Sequence, residues 1–88
     1  MKDISHLKRG AEMKTLKEFS IGERGVIVKV SGEPRIKRRL FDMGLTPGTE
    51  VFLRRKAPFG DPIEITIRGY ELTLRLNEAE FVEMEAKK

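Results

Sequence analysis

The densest chemistry in this sequence is cationic. Arg35, Lys37, Arg38 and Arg39 fall within five consecutive positions, and Arg54, Arg55 and Lys56 form a second run. Guanidinium groups present planar forks of N–H donors that match phosphate and carboxylate oxygens, so such clusters suit RNA, DNA or an acidic protein surface. They also suit plain solvation of a short helix. Against nucleic acid stand the net charge of only +4 and the placement of most of the five Phe and one Tyr at expected core positions. That leaves no aromatic platform on which bases could stack.

The rest of the reactive inventory is thin. Cysteine is absent, which removes disulfides, thiolate metal ligands and a thiol nucleophile. The single histidine, His6, precedes any periodic pattern and lacks the second member that a triad or a His-paired metal site requires. No Walker loop, G-x-S-x-G elbow, H-E-x-x-H pair or EF-hand spacing occurs. Glu64 and Glu71 alternate with apolar residues and read as solvated charges, while Glu78, Glu80, Glu83 and Glu85 fit no defined cation cage. No catalytic residue, cofactor or metal ligand is therefore expected.

The elements that must carry these side chains follow from periodicity. Eighty-eight residues support one domain. Residues 1–13 show no sustained period and are expected to be a flexible extension, with the domain spanning 14–86. Val26, Val28 and Val30 fall at period two, which predicts a strand with Ile27 and Lys29 on its other face. Pro34 suits a first helical turn, Ile36, Leu40 and Met43 form one stripe, and Gly44 supplies a left-handed stop, so a helix is expected over 34–43. Arg35, Arg38, Arg39 and Asp42 lie away from that stripe, and Arg38 and Asp42 are spaced to pair.

Thr46–Thr49 matches a type II turn, and a strand is expected from about Glu50 to Lys56. Residues 57–62 form a loop whose two prolines cannot donate to a sheet. Ile63, Ile65 and Ile67, then Leu72, Leu74 and Leu76, predict a hairpin turning around Arg68–Glu71. Asn77 can cap a helical turn, and Val82 and Met84 mark a last strand. Five short strands with one inserted helix and one C-terminal helical turn bury a common face best as a small, mostly β, SH3-like, partly open barrel. Apolar runs of two or three residues are far too short to span a bilayer, and no secretory leader is evident. A reduced, cytoplasmic, soluble protein is expected.

Residues 38–85, RRLFDMGLTPGTEVFLRRKAPFGDPIEITIRGYELTLRLNEAEFVEME, with the earlier IGERGVIVKV, closely resemble the FeoA family of ferrous iron transport accessory proteins. The most specific stretches are Arg39–Leu40 with Asp42–Gly48, then Ala57–Pro62, then Arg68–Tyr70 with Leu72 and Leu74. Phe41 and Phe59 stand where leucine is common. The resemblance implies an SH3-like barrel working beside FeoB, the membrane transporter whose cytoplasmic G domain binds and hydrolyses GTP. It implies an adaptor or regulator rather than an enzyme. The same module occurs at the C-terminus of metal-dependent repressors, but no helix-turn-helix pattern precedes it here. A carrier of Fe²⁺ itself is disfavoured by one His and no Cys.

Most motif residues have a structural task in turns or packing. Arg35, Arg38 and Arg39 on the helix, with Phe59 and Asp61 in the loop, have none in the sequence pattern and form the expected partner-binding surface. The expected partner is the GTPase-containing cytoplasmic region of a FeoB-type transporter. The alternative is a small-barrel nucleic-acid module using the same basic helix.

Overall fold

The strictest alternation in the chain builds its core. In the computed structural model, which describes residues 11–87, β4 (Ile63–Ile67) and β5 (Tyr70–Leu74) form the expected hairpin, with Ile63, Ile65, Ile67 and Leu74 buried. Ile67 and Tyr70 pair directly, so the turn contains only Arg68 and Gly69, both at positive φ (46° and 84°). This is the type I′ geometry whose twist matches the flanking strands. Tyr70 therefore belongs to β5 rather than to the turn.

Four further strands complete one antiparallel sheet: β1 (Ala11–Thr15), β2 (Arg24–Val30), β3 (Glu50–Lys56) and β6 (Val82–Lys87). Their spatial order is β1-β6-β2-β3-β4-β5. Helix α1 (Pro34–Asp42) is inserted between β2 and β3, and α2 (Leu76–Ala79) between β5 and β6. The architecture is mostly β and SH3-like, as expected, but with six strands instead of five. The additional strand is β1, which pairs with β6 from Ala11↔Lys87 to Thr15↔Glu83. Residues 11–13 therefore belong to the sheet, and the remainder of the expected extension lies outside the described residues. Lys14 fastens this strand further, its Nζ 2.8 Å from Glu23 and 5.3 Å from the centre of the buried Phe19 ring.

Two bulges correct the expected faces. In β2 the register with β6 shifts between Ile27 and Lys29, so Val28 is the extra residue. The inward face is then Gly25, Ile27 and Val30, while Val28 is exposed. In β3 the register with β4 shifts between Leu53 and Arg55. Before that bulge Val51 and Leu53 point inward opposite Ile67 and Ile65; after it, Arg54 and Arg55 are both exposed. A bulge inserts one unpaired residue and reverses the phase of everything beyond it. Among the described residues, no helix is long and apolar enough to cross a membrane.

Gly25 leaves no room for a side chain. A Cβ there would lie 2.5 Å from the Glu85 carbonyl oxygen, 2.9 Å from Phe19 Cζ and 3.0 Å from Ala86 Cα. Backbone on one side and a buried ring on the other leave nothing free to yield. Gly25→Ala is expected to destabilise the domain by about 2 kcal/mol, read as a lower urea midpoint at unchanged m-value.

Candidate functional site

Helix α1 starts and stops as its residues dictate. Glu33 is extended and Pro34 occupies the first turn. At the other end Gly44, at φ +97°, donates to Phe41 O (2.9 Å) and Leu45 to Leu40 O (3.0 Å). This is a Schellman ending, and the two leucines it brings together are both fully buried. Tyr70 completes the junction, its hydroxyl donating to Met43 O at 2.9 Å.

With Ile36, Leu40 and Met43 turned to the barrel, Arg35 and Arg38 are exposed and make no ion pair or hydrogen bond among the described residues. The expected Arg38–Asp42 pair does not form. Arg39, expected to be a free surface group, has a partner: its Nε donates to Glu78 Oε2 at 2.7 Å. The other oxygen of Glu78 accepts the Arg75 N–H at 3.0 Å, at the start of α2. The cap of that turn is therefore Arg75 with Glu78, not Asn77. Between the two helices lies a cavity of about 410 Å³ bounded by Ile36, Leu40 and Phe81, with Arg39, Glu78 and Glu80 at its rim.

The loop 57–62 is also tied to α2. Gly60 N donates to Ala57 O (2.7 Å), Ala57 N to Pro62 O (2.9 Å), and the Asp61–Pro62 peptide is cis. Asp61 Oδ1 accepts the Leu76 N–H at 3.1 Å, so this residue too has a structural task. Phe59 is 98% exposed. Of the five expected partner-binding residues, Arg35, Arg38 and Phe59 are uncommitted, while Arg39 and Asp61 fasten the helix and the loop to α2. The second basic run is partly neutralised: Arg54 lies 3.0 Å from Glu71, and Arg55 lies 3.1 Å from Glu64.

Glu78 is the residue that sequence reasoning missed. Its signal is the three-residue offset from Arg75 at a helix start, a capping box whose first member lacks an acceptor side chain. Among the described residues no group of three or more His, Asp or Glu is placed to hold a metal ion, and His6 lies outside them.

The sheet order, the inserted helix and the one-turn second helix define a small SH3-like barrel with a basic, partly unpaired helical face. The chain belongs to the FeoA family: the FeoA domain model matches residues 14–86. A fusion of Fe(2+) transport protein A with the Fe(2+) transporter FeoB from Porphyromonas gingivalis is 33% identical over 70 residues, covering 80% of this chain. This chain spans 8% of that protein's length. The FeoA-like protein of Clostridium acetobutylicum is 36% identical with a TM-score of 0.77, over 83% of this chain and 85% of that one. The zinc-complexed FeoA of Stenotrophomonas maltophilia, described as an SH3 domain protein, is 30% identical with a TM-score of 0.69, over 80% and 87%. The family takes part in ferrous iron transport.

Burial acts to raise the Glu78 pKa, but the Arg75 N–H and the Arg39 guanidinium outweigh it and hold the carboxyl below its ordinary value of 4.5. A depressed carboxylate contributes stability above the unfolded-state value and loses it as pH falls through the folded-state value. The Glu78 side chain is 19% exposed but that of Arg39 is 64% exposed, so solvent screening limits the contribution. Glu78→Gln is expected to lower stability by about 0.5–1 kcal/mol at pH 7. It is also expected to flatten the acid limb below pH 4.5, as measured by urea unfolding across pH.

Proposed function

We propose that this protein is a non-enzymatic accessory of ferrous iron uptake that works in the cytoplasm by docking on the GTPase-containing region of a FeoB-type transporter. The observation that carries this reading is the Porphyromonas gingivalis fusion, in which a related FeoA domain and FeoB share one polypeptide. Tethering of that kind holds two modules at millimolar effective concentration when the linker is short, a service only to modules that meet. A small barrel with unpaired arginines on one helix suits contact with an acidic protein surface.

Within this reading Arg35 and Arg38 supply the charge and Phe59 the apolar anchor. Arg39 and Asp61 keep helix and loop in place through α2. The nucleic-acid alternative loses support from the ion pairs of Arg54 and Arg55, which spend part of the basic surface internally.

Charge reversal at Arg35 and Arg38 breaks no bond among the described residues and is expected to leave the fold intact. The double variant Arg35→Glu, Arg38→Glu is expected to bind the purified cytoplasmic region of the transporter about fivefold more weakly, or about 1 kcal/mol, by calorimetry with and without a GTP analogue. Unchanged affinity would move the contact elsewhere. Steeply salt-dependent binding to RNA or DNA would favour the alternative.

A further inference from the structure

A second cationic site lies on the outer face of the sheet. A cavity of about 350 Å³, open to solvent, is lined there by Arg24, Glu50, Phe52, Thr66 and Arg68. The register explains the grouping. Arg24 of β2 stands opposite Phe52 of β3, Phe52 stands opposite Thr66 of β4, and Arg68 follows in the turn that ends β4.

Elsewhere on this sheet Arg54 and Arg55 are neutralised by Glu71 and Glu64. Arg24 and Arg68 make no ion pair among the described residues; what holds them is uncharged. The Arg24 guanidinium lies 5.4 Å from the centre of the Phe52 ring. Arg68 donates through Nη2 to Thr49 Oγ1 (2.9 Å) and Thr46 Oγ1 (3.4 Å), and Thr49 is buried. The N–H groups on Nε and Nη1 remain for another acceptor. Arg68, its head group held by two hydroxyls, differs from the mobile lysines of an ordinary surface, because less entropy remains to be lost when it binds.

Arg68 also occupies a costly backbone position. Its φ of 46° falls at the first residue of a type I′ turn, where Asn, Asp or Gly is favoured. Turn formation alone does not ask for arginine there; the side chain ties the turn to Thr46 and Thr49 and leaves Nε and Nη1 without a partner among the described residues.

We propose that Arg24 and Arg68 form a receptor for an acidic peptide segment of a protein partner. Asp or Glu carboxylates of the segment would engage the guanidiniums that line the cavity, while an apolar side chain between them packs beside Phe52. The open shape suits a side chain presented by a peptide better than a small molecule that must be enclosed. Glu50 also lines the cavity, 3.6 Å from Lys87. Its charge opposes a phosphate dianion more than a single carboxylate, which favours the peptide. None of Arg35, Arg38 and Phe59 lines this cavity, so the proposal is tested separately from the docking surface assigned to them.

The test is an NMR titration of the full ¹⁵N-labelled chain with a synthetic peptide alternating glutamate and leucine, with inorganic phosphate and a single-stranded oligonucleotide run in parallel. Saturable shifts at residues 24, 52, 66 and 68 are expected with the peptide, and weaker ones with phosphate. Arg68→Gly relieves the turn but gives up the hydrogen bonds to Thr49 and Thr46, so it is expected to fold with a stability near the parent's, checked by urea unfolding, and to bind the peptide about tenfold more weakly. Arg55→Gln, whose guanidinium is already committed to Glu64, is expected to stay within about twofold of the parent. The proposal is overturned by absence of peptide shifts, by shifts confined to α1, by full affinity in folded Arg68→Gly, or by phosphate or oligonucleotide binding more tightly than the peptide.

Discussion

A carboxylate shared between a helix start and a guanidinium links the two helices that the sheet itself does not contain. Glu78 accepts from the Arg75 backbone on one oxygen and from Arg39 on the other. Through it α2, only four residues long and far too short to persist alone, is fastened to α1, which the barrel seats through Ile36, Leu40 and Met43. The loop 57–62 reaches the same turn through Asp61 and Leu76 N. The barrel supplies rigidity, and α2 ties α1 and the loop to one another.

The fold was legible where one rule acted alone. Ile63, Ile65 and Ile67 alternate without interruption, and the structure keeps that alternation from end to end. The helix stop at Gly44 was equally readable, because a left-handed residue after an apolar stripe has few other uses. Legibility failed where a local irregularity was concealed by residues that fit either reading. Val26, Val28 and Val30 are all β-branched, so nothing in their types reveals that Val28 is an extra residue and that Ile27 is the one buried. Strand β1 was missed for a related reason. Its residues alternate poorly, and its place is secured by pairing with β6, more than sixty positions away.

The candidate surface was half legible. Side-chain type marked Arg35, Arg38 and Phe59 correctly as groups without a local task, but type cannot reveal a partner distant in sequence. Arg39 and Glu78 are 39 residues apart and Asp61 and Leu76 are 15 apart. Chain folding, not spacing, converts them from surface candidates into fasteners. The same limit hid Arg24 and Arg68, which line one cavity only because β2, β3 and β4 lie side by side.

The pairing of β1 with β6 has an architectural consequence. Ala11 and Lys87 stand opposite each other in antiparallel register, so the first and last strands of the described sheet bring their outer ends within about 5 Å. A host chain could enter and leave this barrel at one point, as a cassette is spliced into a tape, with no element needing to be rerouted. Adjacent ends make a domain portable between proteins. In this barrel the strand that brings them together is also the one that its own sequence announces least.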